Sequence, residues 1–150
     1  MKNIFSSLRI RFGTLLTLAG FVLVLIGAAP EWFKLDRSPV FGFVQIAVFL
    51  VGLGVICIGG YLALAGLWNG NPQTIASDIG LRLVATGFVI AVASGMADVF
   101  GFGSEISPSI PTFGRLQTIG VLIGEVIIGI GFLLLIPYHK VGSKTNINER

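Results

Sequence analysis

The chain has 150 residues, enough for one domain, but its composition excludes an ordinary soluble fold. It is 54% hydrophobic and only 11% charged, whereas soluble domains carry about a quarter charged residues, so lipid must cover much of its surface. The net charge of +3 does not indicate nucleic-acid binding, because the basic residues adjoin apolar runs, where they act as topology signals.

The inventory of reactive residues is small. The single cysteine, Cys57, excludes an intrachain disulfide framework and any CxxC motif. The single histidine, His139, excludes bis-histidine haem ligation within one chain. No G-x-S-x-G, P-loop or HExxH motif and no pair of catalytic carboxylates is present. We therefore expect no enzymatic activity, no cofactor and no bound metal.

The first apolar run follows a basic segment. Residues 1–11 combine basic residues with apolar residues at helical spacing, which predicts an amphipathic lead-in at the membrane surface. Residues 12–30 carry no charge and are about as long as a bilayer core requires. The alternative is a signal peptide cleaved near residues 27–29. We favour a transmembrane helix, because the run is long for a signal peptide and has a counterpart later in the chain.

Three further apolar runs follow, separated by polar loops. They span Val40–Trp68, Leu81–Phe100 and Leu116–Pro137. The breaker Asn69-Gly70-Asn71-Pro72 ends the second run. We therefore predict an all-α membrane protein with four transmembrane helices over residues 12–138, followed by a polar cytoplasmic tail, residues 139–150.

The orientation follows from the basic residues. Four spans place both termini on one side of the bilayer. Seven lysine and arginine residues lie on that side and three on the other, which predicts cytoplasmic termini in the cell membrane. Trp68 is expected in the aromatic belt at the inner surface.

The two halves of the chain resemble each other. Residues 13–33 match the sequence 67 positions later, and residues 39–64 match the sequence 72 positions later. Sixteen of the 47 aligned positions are identical, against about five expected by chance in apolar sequence. We predict two tandem copies of one helical hairpin, residues 13–68 and 80–137. Two spans per copy make the copies parallel, related by an axis along the membrane normal.

Small residues on three of the runs predict close helix packing. Such residues let helix backbones approach where lipid provides no hydrophobic drive between helices. The alternative is that glycine is simply common in transmembrane helices. The candidate packing residues are Gly20, Gly27, Gly87, Ala91, Gly95, Gly120 and Gly124.

Glu125 is the most informative polar residue. It lies near the middle of the fourth run, where a charge costs about 2.5–3.5 kcal/mol. Its counterpart in the first copy is Leu53, so the fold does not require an acid there. We expect the protonated form to be favoured. Two interpretations remain. The functional one is a proton or cation site, or a polar contact with a ligand or a partner helix; the structural one is a neutral acid hydrogen-bonded to a neighbour such as Ser94, which lies at similar depth.

Three polar residues mark the outer ends of the helices. Asp98 and Arg115 should lie at one level, where we favour a structural ion pair over a ligand site. Gln117 opens the fourth run, and we expect it to satisfy a backbone group of the preceding loop rather than to bind a ligand.

These features favour a non-enzymatic integral membrane protein. It would be a structural or accessory subunit that associates with itself or with another membrane protein, in addition to the lipid bilayer. The alternative is a small transporter or channel, in which Glu125 carries the proton or ion and Asp98 lies near the outer entrance.

Overall fold

The structure, a computed structural model, describes residues 2–29, 32, 43–68, 72–97 and 114–137. This part of the chain contains four α-helices. The helices are α1 (Lys2–Ala28), α2 (Phe43–Leu67), α3 (Ile75–Gly95) and α4 (Arg115–Leu135). No strand occurs in these described ranges. The expectation of an all-helical protein with four helices is confirmed.

All four helices are long and apolar enough to cross a membrane. The shortest, α3 and α4, have 21 residues each, which at 1.5 Å per residue gives roughly 30 Å, the thickness of a bilayer core. α1 runs without a break from Lys2 to Ala28, so the basic lead-in forms the first turns of the same helix. The chain is therefore a multi-pass membrane protein by the length and composition of its helices.

α3 begins at Ile75, six residues before the apolar run that predicts it. Thr74 caps the helix, because its Oγ1 accepts a hydrogen bond from the Ser77 N–H at 3.3 Å. One turn further, Arg82 and Asp78 form an exposed ion pair of 3.0 Å at i,i+4 spacing. These polar contacts extend the helix beyond the segment that lipid alone would stabilise.

In the first hairpin, α1 and α2 run antiparallel and touch through glycines seven residues apart. A Cβ atom at Gly20 would lie 2.9 Å from the Gly52 carbonyl oxygen, and one at Gly52 would lie 2.9 Å from the Gly20 carbonyl oxygen. Gly13 and Gly59 face each other in the same way, at 2.8 and 2.9 Å. Gly27 lies against the Phe49 backbone. Only glycine permits this separation of the backbones.

The second hairpin is closed in the same manner. A Cβ atom at Gly87 would lie 2.6 Å from the Gly124 carbonyl oxygen, and the reciprocal distance is also 2.6 Å. Gly80 and Gly131 form the neighbouring contact, at 2.6 and 2.7 Å. Ala91, which is fully buried, packs against Gly124. The helices α3 and α4 are therefore also in backbone contact.

The two hairpins meet along one face of α2, which packs on α3 and α4, whereas α1 packs mainly on α2. Gly95 of α3 lies against the Leu50 side chain of α2. Gly60 of α2 receives the ring of Phe132 from α4. The buried apolar cluster at this junction consists of Leu50, Leu53, Cys57, Val84, Ala91, Ile128 and Leu135.

Trp68 is buried at this junction instead of facing the lipid. Only 9% of the residue is exposed, and its indole Nε1–H donates a hydrogen bond of 3.1 Å to the Leu135 carbonyl oxygen. The predicted place of Trp68 in the inner aromatic belt stays a prediction, but its side chain turns to the protein, because the last carbonyls of α4 need a donor that the helix itself cannot supply. Trp68 thereby ties the end of α2 to the end of α4.

Candidate functional site in the middle of α4

Glu125 is the central residue of α4, with ten helical residues on either side. Gly114 is the N-cap residue of α4, and its N–H donates a hydrogen bond of 2.9 Å to Gln117 Oε1. The prediction that Gln117 satisfies a loop backbone group is confirmed. This cap fixes the start of the helix, so the Glu125 carboxyl lies about 15 Å from either helix end.

The Glu125 side chain is half-buried, at the edge of the α4 surface that faces the rest of the protein. On one side lie the buried residues Val121 and Ile128. On the other side lie the exposed residues Leu122 and Gly129. Glu125 therefore sits on the boundary between the hairpin junction and the lipid-facing surface of α4.

Ser94 lies on a different side of α4 from Glu125. Its hydroxyl contacts the Cβ position of Gly120, and Gly120 is five residues from Glu125, about 140° around the helix. No hydrogen bond between Ser94 and Glu125 occurs within the described ranges. The expected hydrogen bond between Glu125 and Ser94, which their similar depth suggested, is therefore not formed in the structure.

The expected ion pair at the outer end falls outside the described residues, because Asp98 is not among them. Arg115 is described, and lies exposed at the first position of α4. The proposals for Asp98, as a partner of Arg115 or as an entrance residue, remain predictions.

Side chains that could hold a metal ion are not clustered in the described ranges. No cluster of three or more histidine, cysteine, aspartate or glutamate side chains occurs among those residues. Cys57 is buried as a free thiol in the apolar junction, where a thiol is usually inert. Of the acidic residues described, Glu125 is the one that lies in the middle of a span, since Asp78 is exposed in the first turn of α3.

Sequence reasoning missed two features. The glycines of α2 that contact α1 repeat every seven residues, at positions 52, 59 and 66, and that period was available as a signal. Ser77 is fully buried, and its Oγ has no hydrogen-bond partner among the described residues. A serine in the first turn of a helix gives no such signal, because this position is usually solvated.

Comparison of the chain with protein-family models, with curated proteins and with solved structures finds no match.

Proposed function

We propose that this chain is a non-catalytic membrane subunit that assembles with other transmembrane helices in the cell membrane. The observation that carries the proposal is the contrast between the interior and the exterior of α4. Inside, its glycines bring the backbone against α3. Outside, it presents large apolar side chains and the edge on which Glu125 lies. Such an edge suits a lateral contact with another helix, because an acid in hydrocarbon requires a polar partner.

We also propose that the chain contains two copies of one hairpin. The support is that aligned glycines make equivalent contacts: Gly20 with Gly52 in the first copy matches Gly87 with Gly124 in the second. The contact between Gly13 and Gly59 in the first copy likewise matches the contact between Gly80 and Gly131 in the second.

Cytoplasmic termini belong to the same proposal. The ends of α1 and α3 that carry Arg9, Arg11 and Arg82 lie on one side of the bundle, and Arg115 lies on the other. This distribution agrees with the preference of basic residues for the cytoplasmic side.

The alternative is a small transporter or channel that uses Glu125 as its proton or ion site. The midplane position of the carboxyl favours it, because intramembrane acids often belong to ion pathways. The backbone contacts within each hairpin count against it, since they leave no room for a path between α1 and α2 or between α3 and α4 at the level of the glycines.

Extraction into lipid nanodiscs followed by native mass measurement tests the subunit proposal. A complex of more than one chain is the expected result. A single species at the 15.9 kDa monomer mass would overturn the proposal.

Proton flux into liposomes tests the alternative. For a subunit we expect vesicles with the wild-type chain to be as tight as protein-free vesicles. Flux that is present in the wild type and falls in Glu125→Gln would establish the transport function instead. The conservative amide keeps the size of the side chain, so the comparison isolates the ionisable group.

A further inference from the structure

The face of α2 that packs on the second hairpin has an uncovered counterpart on α4. In the two-copy alignment, Leu50 corresponds to Leu122 and Leu53 corresponds to Glu125. Leu50 is 5% exposed, because α3 covers it, whereas Leu122 is 53% exposed. The same surface is therefore covered by protein in one copy and left uncovered in the other.

The difference is confined to that face. One residue further along each helix, Val51 is 60% exposed and its counterpart Ile123 is 50% exposed. Ile58 and Ile130 are likewise exposed in both helices. α2 and α4 thus share one lipid-facing side and differ on the side that contains Leu122.

Gly129 leaves a notch, a gap without a side chain, on the uncovered face of α4. Every other glycine in the described helices has an atom of a neighbouring helix within 3.2 Å of its Cβ position, whereas Gly129 has none within 4 Å. It lies one turn from Glu125, on the same side of α4. Its counterpart, Cys57, is buried at the junction of the hairpins. An unfilled glycine on a lipid-facing helix permits the close approach of one more helix.

Glu125 indicates which helix fits there. Its carboxyl makes no hydrogen bond within the described ranges, and an acid in its neutral form both donates and accepts. A second copy inserted in the same direction carries its own Glu125 at the same depth. The two carboxyls are therefore complementary to each other without any other ligand.

We propose that a second copy of this chain packs on the α4 face formed by Leu122, Glu125 and Gly129, with the two Glu125 side chains opposite each other. The axis of this two-fold contact runs along the membrane normal, as expected for a self-complementary interface. Thr118 continues the face, and the spacing of these four residues alternates between four and three, as in a helix-packing seam. The inference rests on the proposed subunit function and names its partner.

Disulfide crosslinking in proteoliposomes tests the contact, in a Cys57→Ser background that removes the one native thiol. Leu122→Cys is expected to form a crosslinked dimer on oxidation. Ile123→Cys is the matched control, because it has similar depth and exposure but lies about 100° away around the helix. It is expected to give no crosslink. Crosslinking at position 123 but not at 122 would overturn the proposed face.

Two substitutions test the roles of the notch and the acid, measured as the dimer fraction against the ratio of protein to lipid. Gly129→Leu is expected to abolish dimerisation without disturbing the single chain, because no atom of a neighbouring helix lies within 4 Å of the Cβ position. Glu125→Leu is expected to weaken dimerisation about threefold to tenfold, the range of an interhelical hydrogen bond. Glu125→Gln should retain it, since an amide also donates and accepts. Full dimerisation of both leucine variants would overturn the proposal.

The mass measurement separates this inference from the subunit proposal. If one copy purifies with a different protein that crosslinks at position 122, the second-copy contact is wrong and the subunit function stands. If one copy purifies alone and does not crosslink, both fail.

Discussion

The first hairpin, α1–α2, and the second, α3–α4, are closed by the same contacts but differ in what covers their outer faces. Within each, glycines seven residues apart bring two backbones together, as between Gly20 and Gly52 or between Gly87 and Gly124. The outward face of α2 is covered by the second hairpin, whereas that of α4 is not. The comparison teaches that the packing inside a hairpin does not determine the packing between hairpins. The glycine contacts are the same in both, although only one outward face is covered by protein.

A second difference lies near the end of each hairpin where the first helix stops and the second begins. There the small residue is on the first helix in one hairpin and on the second helix in the other. In the first hairpin, Gly27 of α1 receives the Phe49 backbone of α2. In the second, the residue aligned with Gly27 is Ser94, which projects onto Gly120 of α4. The close approach is retained because one helix supplies the notch in either case.

The largest expected effect comes from filling the matched glycine contacts with Gly20→Leu or Gly87→Leu. The new Cβ atoms would lie within 3 Å of backbone atoms of the facing helix, so the helices must separate. We expect each substitution to cost about 3 kcal/mol or more, measured by SDS titration of helix content in dilute mixed micelles. Gly129→Leu, which meets no neighbour, is the control and should leave the midpoint unchanged. A large loss in one hairpin alone would contradict their equivalence.

The next effect comes from exchanging the residues at the aligned positions 53 and 125. Leu53→Glu places an acid in the buried junction between the hairpins and is expected to cost about 2.5–3.5 kcal/mol. Glu125→Leu should cost nothing in the stability of a single chain, because no hydrogen bond within the described ranges is lost. The same SDS titration measures both variants. Equal losses at the two positions would mean that Glu125 is also part of the folded core.

A smaller effect is expected for Trp68→Phe, which removes the donor to the Leu135 carbonyl and keeps an aromatic ring. We expect a loss of about 1–3 kcal/mol, since a buried carbonyl is left without its partner. The measurement is the unfolding midpoint followed by far-ultraviolet circular dichroism. Trp32→Phe is the control, because Trp32 is 77% exposed. If both variants lose the same stability, the tie between α2 and α4 does not hold the hairpins together.

The smallest effect is expected for Ser77→Ala. Ser77 aligns with Ile10, which fills the space beside Gly66 in the first hairpin, whereas the buried Ser77 hydroxyl has no partner in the described ranges. Removing it should leave stability unchanged or raise it by about 1 kcal/mol, as measured by the same denaturation. The substitution leaves the hydrogen bond from the Ser77 N–H to Thr74 in place, so any change in stability comes from the hydroxyl and not from the helix cap. A clear loss would show that the hydroxyl is hydrogen-bonded in the membrane.

Hydropathy predicted the four spans because a bilayer demands long uninterrupted apolar helices, whatever else the chain does. It failed at the start of α3, where Thr74 and the Asp78–Arg82 pair extend the helix by polar contacts. The boundary of an apolar run is therefore not the boundary of a helix.

The rotation of each helix was harder to predict. Lipid and the protein interior are both apolar, so a residue such as Leu50 or Leu122 has the same signature whether it is covered by protein or by hydrocarbon. For the same reason the sequence predicted the depth of Glu125 in the membrane but not the side of α4 on which its side chain lies. The spacing of seven between glycines does indicate which helix faces meet inside each hairpin, because a backbone contact leaves no room for a side chain.

The central position of α2 has a consequence for biosynthesis. α1 and α2 leave the ribosome first, and chains generally fold from the N-terminal part during synthesis. Because α1 packs mainly on α2, we expect these two helices to pack together before α3 is made. The later helices would then pack on a surface that α2 already presents, so we expect α2 to make its contacts in two steps, first with α1 and then with the second hairpin.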